Sequence, residues 1–285
     1  MNASHGPVVR HRPQIASVLA PNPGPMTLSG TNTWVLGDPA LGPVVVVDPG
    51  PDDAAHLARV LEAAGGRVAT VLLTHRHLDH TEGAATFARQ AGCGVRAVDP
   101  AWRVGAPGAD DGTQDSTEDR SGLEDGTLLE AAGVLLEVLA TPGHTDDSVS
   151  VLVRSGEGPD QRVDLLTGDT VLGLGSTVIT HPDGNVGAYL DSLDRLLVVV
   201  GQRQVARILP GHGPVVDEPG RVLAGYRRHR LERLAQVEAA LAAGARTPEE
   251  VLAAVYPDSV GTPIEGAAAQ SVRAQLDHLE AHRRH

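Results

Sequence analysis

The sequence predicts an α/β domain over residues 1–218 followed by a small helical domain over 219–285. Three observations carry that expectation. Strand-like and helix-like runs alternate up to about residue 217, the pattern turns wholly helical after Pro219, and four apolar runs each end in a small-residue turn bearing a metal-capable side chain. The length of 285 residues and the 41% apolar composition suit a globular protein with a large core. Aromatic residues make up only 2%, so Val, Leu and Ala must build that core.

Taken in order, Val44-Val-Val-Val47 and Val68-Ala-Thr-Val-Leu-Leu-Thr74 read as buried strands, with helices expected near 52–64, 81–91 and 186–200. Val149-Ser-Val-Leu-Val153 reads as another strand, opened by Ser148. Residues 103–126 are Gly-rich and acidic and read as a mobile surface loop that flanks the cleft and disfavours anions. Beyond Pro219, Val222 to Ala243 is amphipathic. Thr247-Pro-Glu-Glu250 is an N-cap with Pro in the first turn and acids against the helix dipole, opening a helix to Val255. Gly266 to Arg283 supplies a third helix, which carries Asp277 and Glu280 beside Arg273 and is a poor surface for tracking phosphates.

Residues 75–80 read His-Arg-His-Leu-Asp-His, directly after the apolar run ending at Thr74. Alternation along an extended chain points His75, His77 and Asp79 to one side, and the turn at His80 brings a fourth ligand from another direction. One tetrahedral catalytic ion takes three protein ligands and keeps a position open, so four ligands in six residues point to two metals. His144, Asp169 and His212 follow apolar runs in the same setting, after Thr141-Pro-Gly, Thr167-Gly and Leu209-Pro-Gly. A single His in a chain with 13 is ordinarily a core or surface residue; five in one recurring strand-end context are not. His5, His11, His56, His229, His278, His282 and His285 lack that context and read as solvated residues. Cys93, the sole cysteine, reads as a small buried residue after the 81–91 helix.

These residues resemble the metallo-beta-lactamase superfamily, whose His-x-His-x-Asp-His signature is matched in full at 75–80. The resemblance implies an αββα sandwich with a dinuclear site in the cleft between sheets. It places one metal on His75, His77 and His144, the other on Asp79, His80 and His212, and Asp169 across both. Asp48, after Val44-Val-Val-Val47, would orient the metal loop from behind. His77 stands where the His-x-Glu-x-Asp motif of redox-active diiron relatives has its Glu, and Asp169 stands where many true beta-lactamases use Cys. The implied chemistry is hydrolysis with a water ionised by two divalent cations, oriented by Asp79. Zinc is the default for five His and two Asp, with manganese or iron able to use the same ligands.

A narrower resemblance, to the beta-lactamase-like protein 2 family, is carried by Pro21 to Trp34, Thr141 to Asp147, Leu209 to Pro214 and Tyr226 to Arg233. It implies single-stranded RNA as substrate and a winged-helix-like C-terminal tail, here without room for wing strands. It places Thr31, Asn32 and Thr33 at the active-site rim, either as substrate contacts or as a turn bonding its own backbone. Ser148 stands where the animal members carry a His. A thioester or lactone, as in glyoxalase II-like relatives, is the alternative substrate, and a non-catalytic metal-binding scaffold the alternative of another class.

The net charge is −13 and all 23 basic residues are Arg, which lowers the expectation of tight binding to polyanions. Arg227, Arg228, Arg230 and Arg233 form a local cluster that either holds a phosphate backbone or pairs with neighbouring acids. No apolar run approaches ~18 residues, no basic and apolar leader opens the chain, and one Cys forms no intrachain disulfide; a cytoplasmic protein away from membranes is expected.

Overall fold

The computed structural model describes residues 8–105 and 122–283. The first sheet holds six strands in chain order: β1 (Val8–Arg12), β2 (Ile15–Leu19), β3 (Asn32–Leu36), β4 (Val44–Val47), β5 (Val68–Leu72) and β6 (Gly94–Arg96). Strands β1 to β4 pair antiparallel, and β4, β5 and β6 pair parallel. The second sheet runs β11-β10-β9-β8-β7, from β7 (Leu128–Ala131), β8 (Val134–Ala140), β9 (Val149–Ser155), β10 (Arg162–Gly168) and β11 (Arg207–Pro210). Only its β10–β11 pair is parallel.

Period-two alternation divides each strand between two cores. Val45 and Val47 of β4 join Trp34, Leu36 and Leu72 in the layer between sheets, where Leu136, Val151, Leu166 and Leu209 of the second sheet meet them. Val44 and Val46 face the other way, onto α1 (Ala54–Ala63) and α3 (Ala84–Ala91), which are separated by the single turn α2 (Leu78–Thr81). Leu152, Leu165 and Ile208 pack outward on α4 (Val186–Arg203). The layers are therefore helix, sheet, sheet, helix. Each buried Val or Leu contributes about 1.5–3 kcal/mol, so aliphatic packing alone can hold a core this poor in aromatics.

Local signals fix the helix ends. Asp53 accepts from the His56 amide at the start of α1, Asn185 accepts from the Ala188 amide at the start of α4, and Gly92 closes α3 in the left-handed conformation.

The tail comprises α5 (Pro219–Ala242), α6 (Pro248–Val255) and α7 (Glu265–Arg283). Thr247 and Glu250 form a complete capping box at α6, as the sequence there requires. Helix α5 starts three residues before Val222, because Pro219 is acceptable at a first turn. Among the described residues the tail has no strand, and Leu223, Val237, Val251 and Val272 share one apolar cluster with Tyr189 and Leu193 of α4.

Two expectations need correction. Residues 106–121 of the acidic loop lie outside the described residues, but its described ends are anchored rather than loose. Val104 bridges Val95, Gly122 bridges Ala97, and Leu123 is buried in the layer between sheets. His56 is not solvated: it is fully buried, with Nε2 3.0 Å from both Thr33 Oγ1 and the Pro49 carbonyl.

Across the ends of the sheets away from the ligands, buried Asp164 receives Arg12 Nε at 2.9 Å and Arg207 Nη2 at 3.1 Å. Asp164→Ala leaves both guanidiniums without their shared carboxylate and is expected to lower stability by about 3 kcal/mol in urea unfolding. A loss below about 1 kcal/mol would show that the pairs act as ordinary exposed ones.

Candidate metal centre

All seven ligand candidates come together at one edge of the sandwich, delivered by the ends of β5, β8, β10 and β11. His75 Nε2 and His144 Nε2 each lie 3.0 Å from His77 Nδ1. Beside them, His212 Nε2 is 3.2 Å from His80 Nε2 and 3.1 Å from Asp79 Oδ2. Asp169 stands between the groups, with Oδ1 3.4 Å from His80 Nε2 and Oδ2 3.3 Å from His212 Nε2 and 3.9 Å from His144 Nε2.

This arrangement fits cations better than it fits protons. Donors about 2.0–2.1 Å from a tetrahedral zinc stand about 3.3 Å from one another, close to the separations seen here. Three imidazole nitrogens facing one point cannot all be satisfied by sharing hydrogens. Among the described residues, Asp169 Oδ1 is buried without a hydrogen-bond partner.

The outward nitrogens of four histidines are held from behind, which makes the inward nitrogen of each the one whose lone pair a cation can take, directly at His75 and His144 and in exchange for a proton at His80 and His212. His80 Nδ1 donates to Asp48 Oδ2 at 2.9 Å, and His144 Nδ1 donates to the Val178 carbonyl at 2.6 Å. His212 Nδ1 reaches the Gly30 carbonyl at 3.2 Å. Thr74 Oγ1 gives its hydrogen to Asp48 Oδ2 and so accepts from His75 Nδ1 at 3.0 Å. Asp48 thus steadies a ligand from each cluster, the place behind the metal loop that the resemblance implies.

Thr31, Asn32 and Thr33 turn inward rather than toward the open cleft. Thr31 and Thr33 are fully buried and Asn32 is 9% exposed. Thr31 Oγ1 accepts from Asn22, Asn32 Nδ2 donates to the Pro210 and Gly213 carbonyls, and Thr33 Oγ1 donates to the Asp48 carbonyl. Asn32 thus clamps the loop carrying His212, to which Thr31 also forms a β-bridge, while Thr33 holds the turn at Asp48. Ser148 is likewise buried and faces Thr145.

Sequence reasoning missed the segment behind His144. Thr177 Oγ1 lies 3.1 Å from His144 Nδ1, and Thr180 Oγ1 donates to the His144 carbonyl at 2.7 Å. Residues 177–184 have neither strand nor helix periodicity, so no local pattern marks them. Two glycines permit the close approaches. A Cβ on Gly211 would stand 2.5 Å from Asp169 Oδ1, and one on Gly143 (φ 137°) would stand 2.4 Å from the Tyr189 backbone.

Electrostatics separate the two clusters. Burial lowers the pKa of His75 well below its usual value, lowers that of His77, and takes His144 down to about 4. Burial is the largest single influence on His80 and His212 too and opposes their protonation, but the carboxylates together outweigh it, Asp169, Asp48 and Asp79 at His80 and Asp169 and Asp79 at His212; His80 rises well above its usual value and His212 to about 9. Asp169 is held well below the carboxylate range: burial opposes ionisation, and His212 and His80 prevail. In the metal-free chain the His212 pairing therefore stabilises the fold fully below the ordinary histidine value of 6.5, and this contribution is lost as pH rises through about 9.

Comparison with known proteins agrees with the geometry. The model of the metallo-beta-lactamase superfamily matches residues 26–212. A beta-lactamase-like protein 2 homolog of Drosophila melanogaster is 31% identical over 239 residues, 81% of this chain and 74% of that protein. An atrochrysone carboxyl ACP thioesterase of Aspergillus chevalieri is 29% identical over 262 residues, 87% of this chain and 75% of that protein. Among solved structures, a metallo-beta-lactamase family protein of Thermus thermophilus superposes with a TM-score of 0.72 at 22% identity, over 95% of both chains; that likeness speaks to the fold alone.

The split in basicity predicts two ions with different pH dependence. Zinc added at pH 7.5 is expected to displace protons from His80 and His212 and none from His75, His77 or His144. Calorimetry in buffers of unequal ionisation enthalpy should show one ion weakening at least about tenfold per pH unit on acidification from pH 8 to 6, with the other little changed. Equal pH dependence for both ions would contradict this. Gly211→Ala should remain folded by circular dichroism yet bind the pH-sensitive ion about 10–100-fold more weakly, because its methyl group displaces Asp169 and His80.

Proposed function

The chain belongs to the metallo-beta-lactamase superfamily, and from that premise we propose that it is a dinuclear metal hydrolase whose substrate is an ester or thioester with an apolar acyl portion. One ion is assigned to His75, His77 and His144, the other to Asp79, His80 and His212, and Asp169 to both, with zinc the ion expected from the donor set. The observation that carries the substrate class is a cavity of about 340 Å³ that shares His144 and Asp169 with the ligand cluster and continues between Met26, Leu28, Leu172, Leu174, Ile264 and Ala268. Such a largely apolar pocket ending at charged groups suits an acyl chain with its reacting carbonyl at the metals.

When bound, the two cations supply an ionised water at neutral pH and polarise the scissile carbonyl. The residues of the chain place and hold the reactants. Asp79 is 30% exposed, more open to the cleft than His80, His212 or Asp169. Burial would favour its neutral form, but His80 and His212 keep its carboxylate below the usual range, so it remains an acceptor that can hold and orient the water's proton. Apolar walls on the tail side exclude bulk water. A thiolate, derived from a thiol of pKa about 8.5, departs without a general acid, and the ionised carboxylates beside the metals offer none.

The arginine cluster argues against a phosphate track. Arg227 pairs with Asp194, Arg228 lies 3.9 Å from Glu232, and Arg230 is buried and donates to the Thr177 carbonyl. Arg233 donates to the Val255 carbonyl and lies over the Tyr256 ring. A single-stranded RNA phosphodiester is the second reading, favoured by one observation: Arg230 and Arg233 line the same cavity and add positive charge to its wall, while burial and these two arginines lower the pKa of His229 beside them.

Zinc-loaded protein should be assayed in parallel on acetyl and octanoyl thioesters and on a fluorescent single-stranded RNA. Turnover of the octanoyl thioester is expected, lost at least about 100-fold in Asp79→Ala. Ala268→Phe should lower kcat/KM about tenfold or more on the octanoyl substrate and spare the acetyl one, because the larger ring fills the cavity. Cleavage of RNA alone, abolished by Asp79→Ala, would replace the acyl reading with the second one.

A further inference from the structure

We propose that Arg76 is a positioning residue for the ion assigned to His75, His77 and His144, its guanidinium drawing together the loops that carry those three ligands. The inference rests on the metal-hydrolase reading above and assigns to Arg76 a role that the ligand motif leaves open.

Arg76 lies between two ligands in the chain, and the alternation of an extended segment turns it away from the point where His75 and His77 converge. Its side chain is 31% exposed and faces four carboxylates from three other segments. Nη2 bonds Asp146 Oδ1; Nε lies 3.3 Å from Asp147 Oδ1 and 3.7 Å from Asp99 Oδ2; Nη1 lies 4.0 Å from Asp183 Oδ2.

Two of these contacts lead straight to His144. Asp147 Oδ1 accepts from Thr145 Oγ1, on the residue after the ligand. Asp183 Oδ1 lies 3.2 Å from Thr180 Oγ1 and shares the one hydroxyl hydrogen whose shorter bond goes to the His144 carbonyl. One guanidinium therefore spans the His75–His77 segment and both supports of His144. A planar fork with several donors can serve carboxylates in different directions, which an ammonium cannot do from one position.

The contacts to Asp99, Asp146 and Asp183 are weak as stability elements, because ion pairs this exposed contribute about 0–1 kcal/mol each; Asp147 is buried but keeps the Thr145 hydroxyl as a second partner. Their effect should appear in ligand geometry instead. Without Arg76, four carboxylates are left facing one another beside the cleft, and their repulsion separates the loops that bring His77 Nδ1 and His144 Nε2 to 3.0 Å.

The test is cobalt(II) binding to full-length wild type, Arg76→Ala and Arg76→Lys, read by chelator competition and by the visible absorption of each bound ion, with thermal melting of the metal-free proteins alongside. Wild type is expected to bind two ions. Arg76→Ala should hold one of them with unchanged affinity and absorption and the other about 10–100-fold more weakly, with an altered absorption band. Arg76→Lys, which restores charge without the fork, should fall between them, and the metal-free melting temperatures should agree closely. Wild-type affinity and absorption for both ions in Arg76→Ala would overturn the proposal, as would equal weakening of both ions together with a lowered melting temperature. A wild type that binds no cobalt would instead overturn the metal reading itself.

Discussion

Asp48 ends β4 with a left-handed backbone, φ 51°, a conformation that costs a non-glycine residue about 1–2 kcal/mol. Its buried carboxylate accepts from the Thr74 amide at 2.8 Å, the Thr74 hydroxyl at 2.7 Å and His80 Nδ1 at 2.9 Å. Thr74 in turn fixes His75, while the Asp48 backbone carbonyl accepts from Thr33 at the head of the segment that clamps the His212 loop. One residue thus links the parallel β4–β5 pair to ligands in both clusters. The strained turn is retained because its carboxylate sets imidazole orientation at the mouth of β5.

From that anchor the remaining ligands follow as strand ends. Parallel pairing of β4 with β5 and of β10 with β11 places loops at matching edges of the two sheets, where polar side chains can converge without burying unsatisfied backbone. Convergence brings a charge problem that the site divides in two. His75, His77 and His144 lie in a poorly solvated pocket and stay neutral, whereas His80 and His212 share the field of Asp169 and gain protons until a cation replaces them. The tail completes the cleft from the far side, since α5 and α7 supply walls to the cavity that opens on Asp169.

Much of this was legible in the sequence because the ligands carry local signals. His75 to His80 are contiguous, and His144, Asp169 and His212 each follow an apolar run with a glycine turn. The start of α6 was legible for the same reason, being written in Thr247 and Glu250. What escaped was set by long-range packing. His56 looks like any polar residue on an amphipathic helix, yet it is buried because β3 brings Thr33 against it. Thr31, Asn32 and Thr33 look available to a substrate, yet strand pairing turns them inward, Asn32 onto the loop of residues 210–213, Thr31 onto Asn22 and Thr33 onto Asp48. Arg76 is an unspecified position within a motif, and its four carboxylates come from segments as distant in the chain as Asp183. The cavity beside Asp169 was not legible either, since its lining is assembled from residues as far apart as Met26 and Ser271.

A dinuclear centre at these seven residues requires two cations sharing Asp169. Crystals grown with zinc and measured on both sides of the zinc absorption edge would test this directly. Two anomalous peaks about 3.5–4 Å apart are expected, one bonded to His75, His77 and His144, the other to Asp79, His80 and His212, with the Asp169 carboxylate touching both. A single peak, or two peaks of which neither touches Asp169, would contradict it.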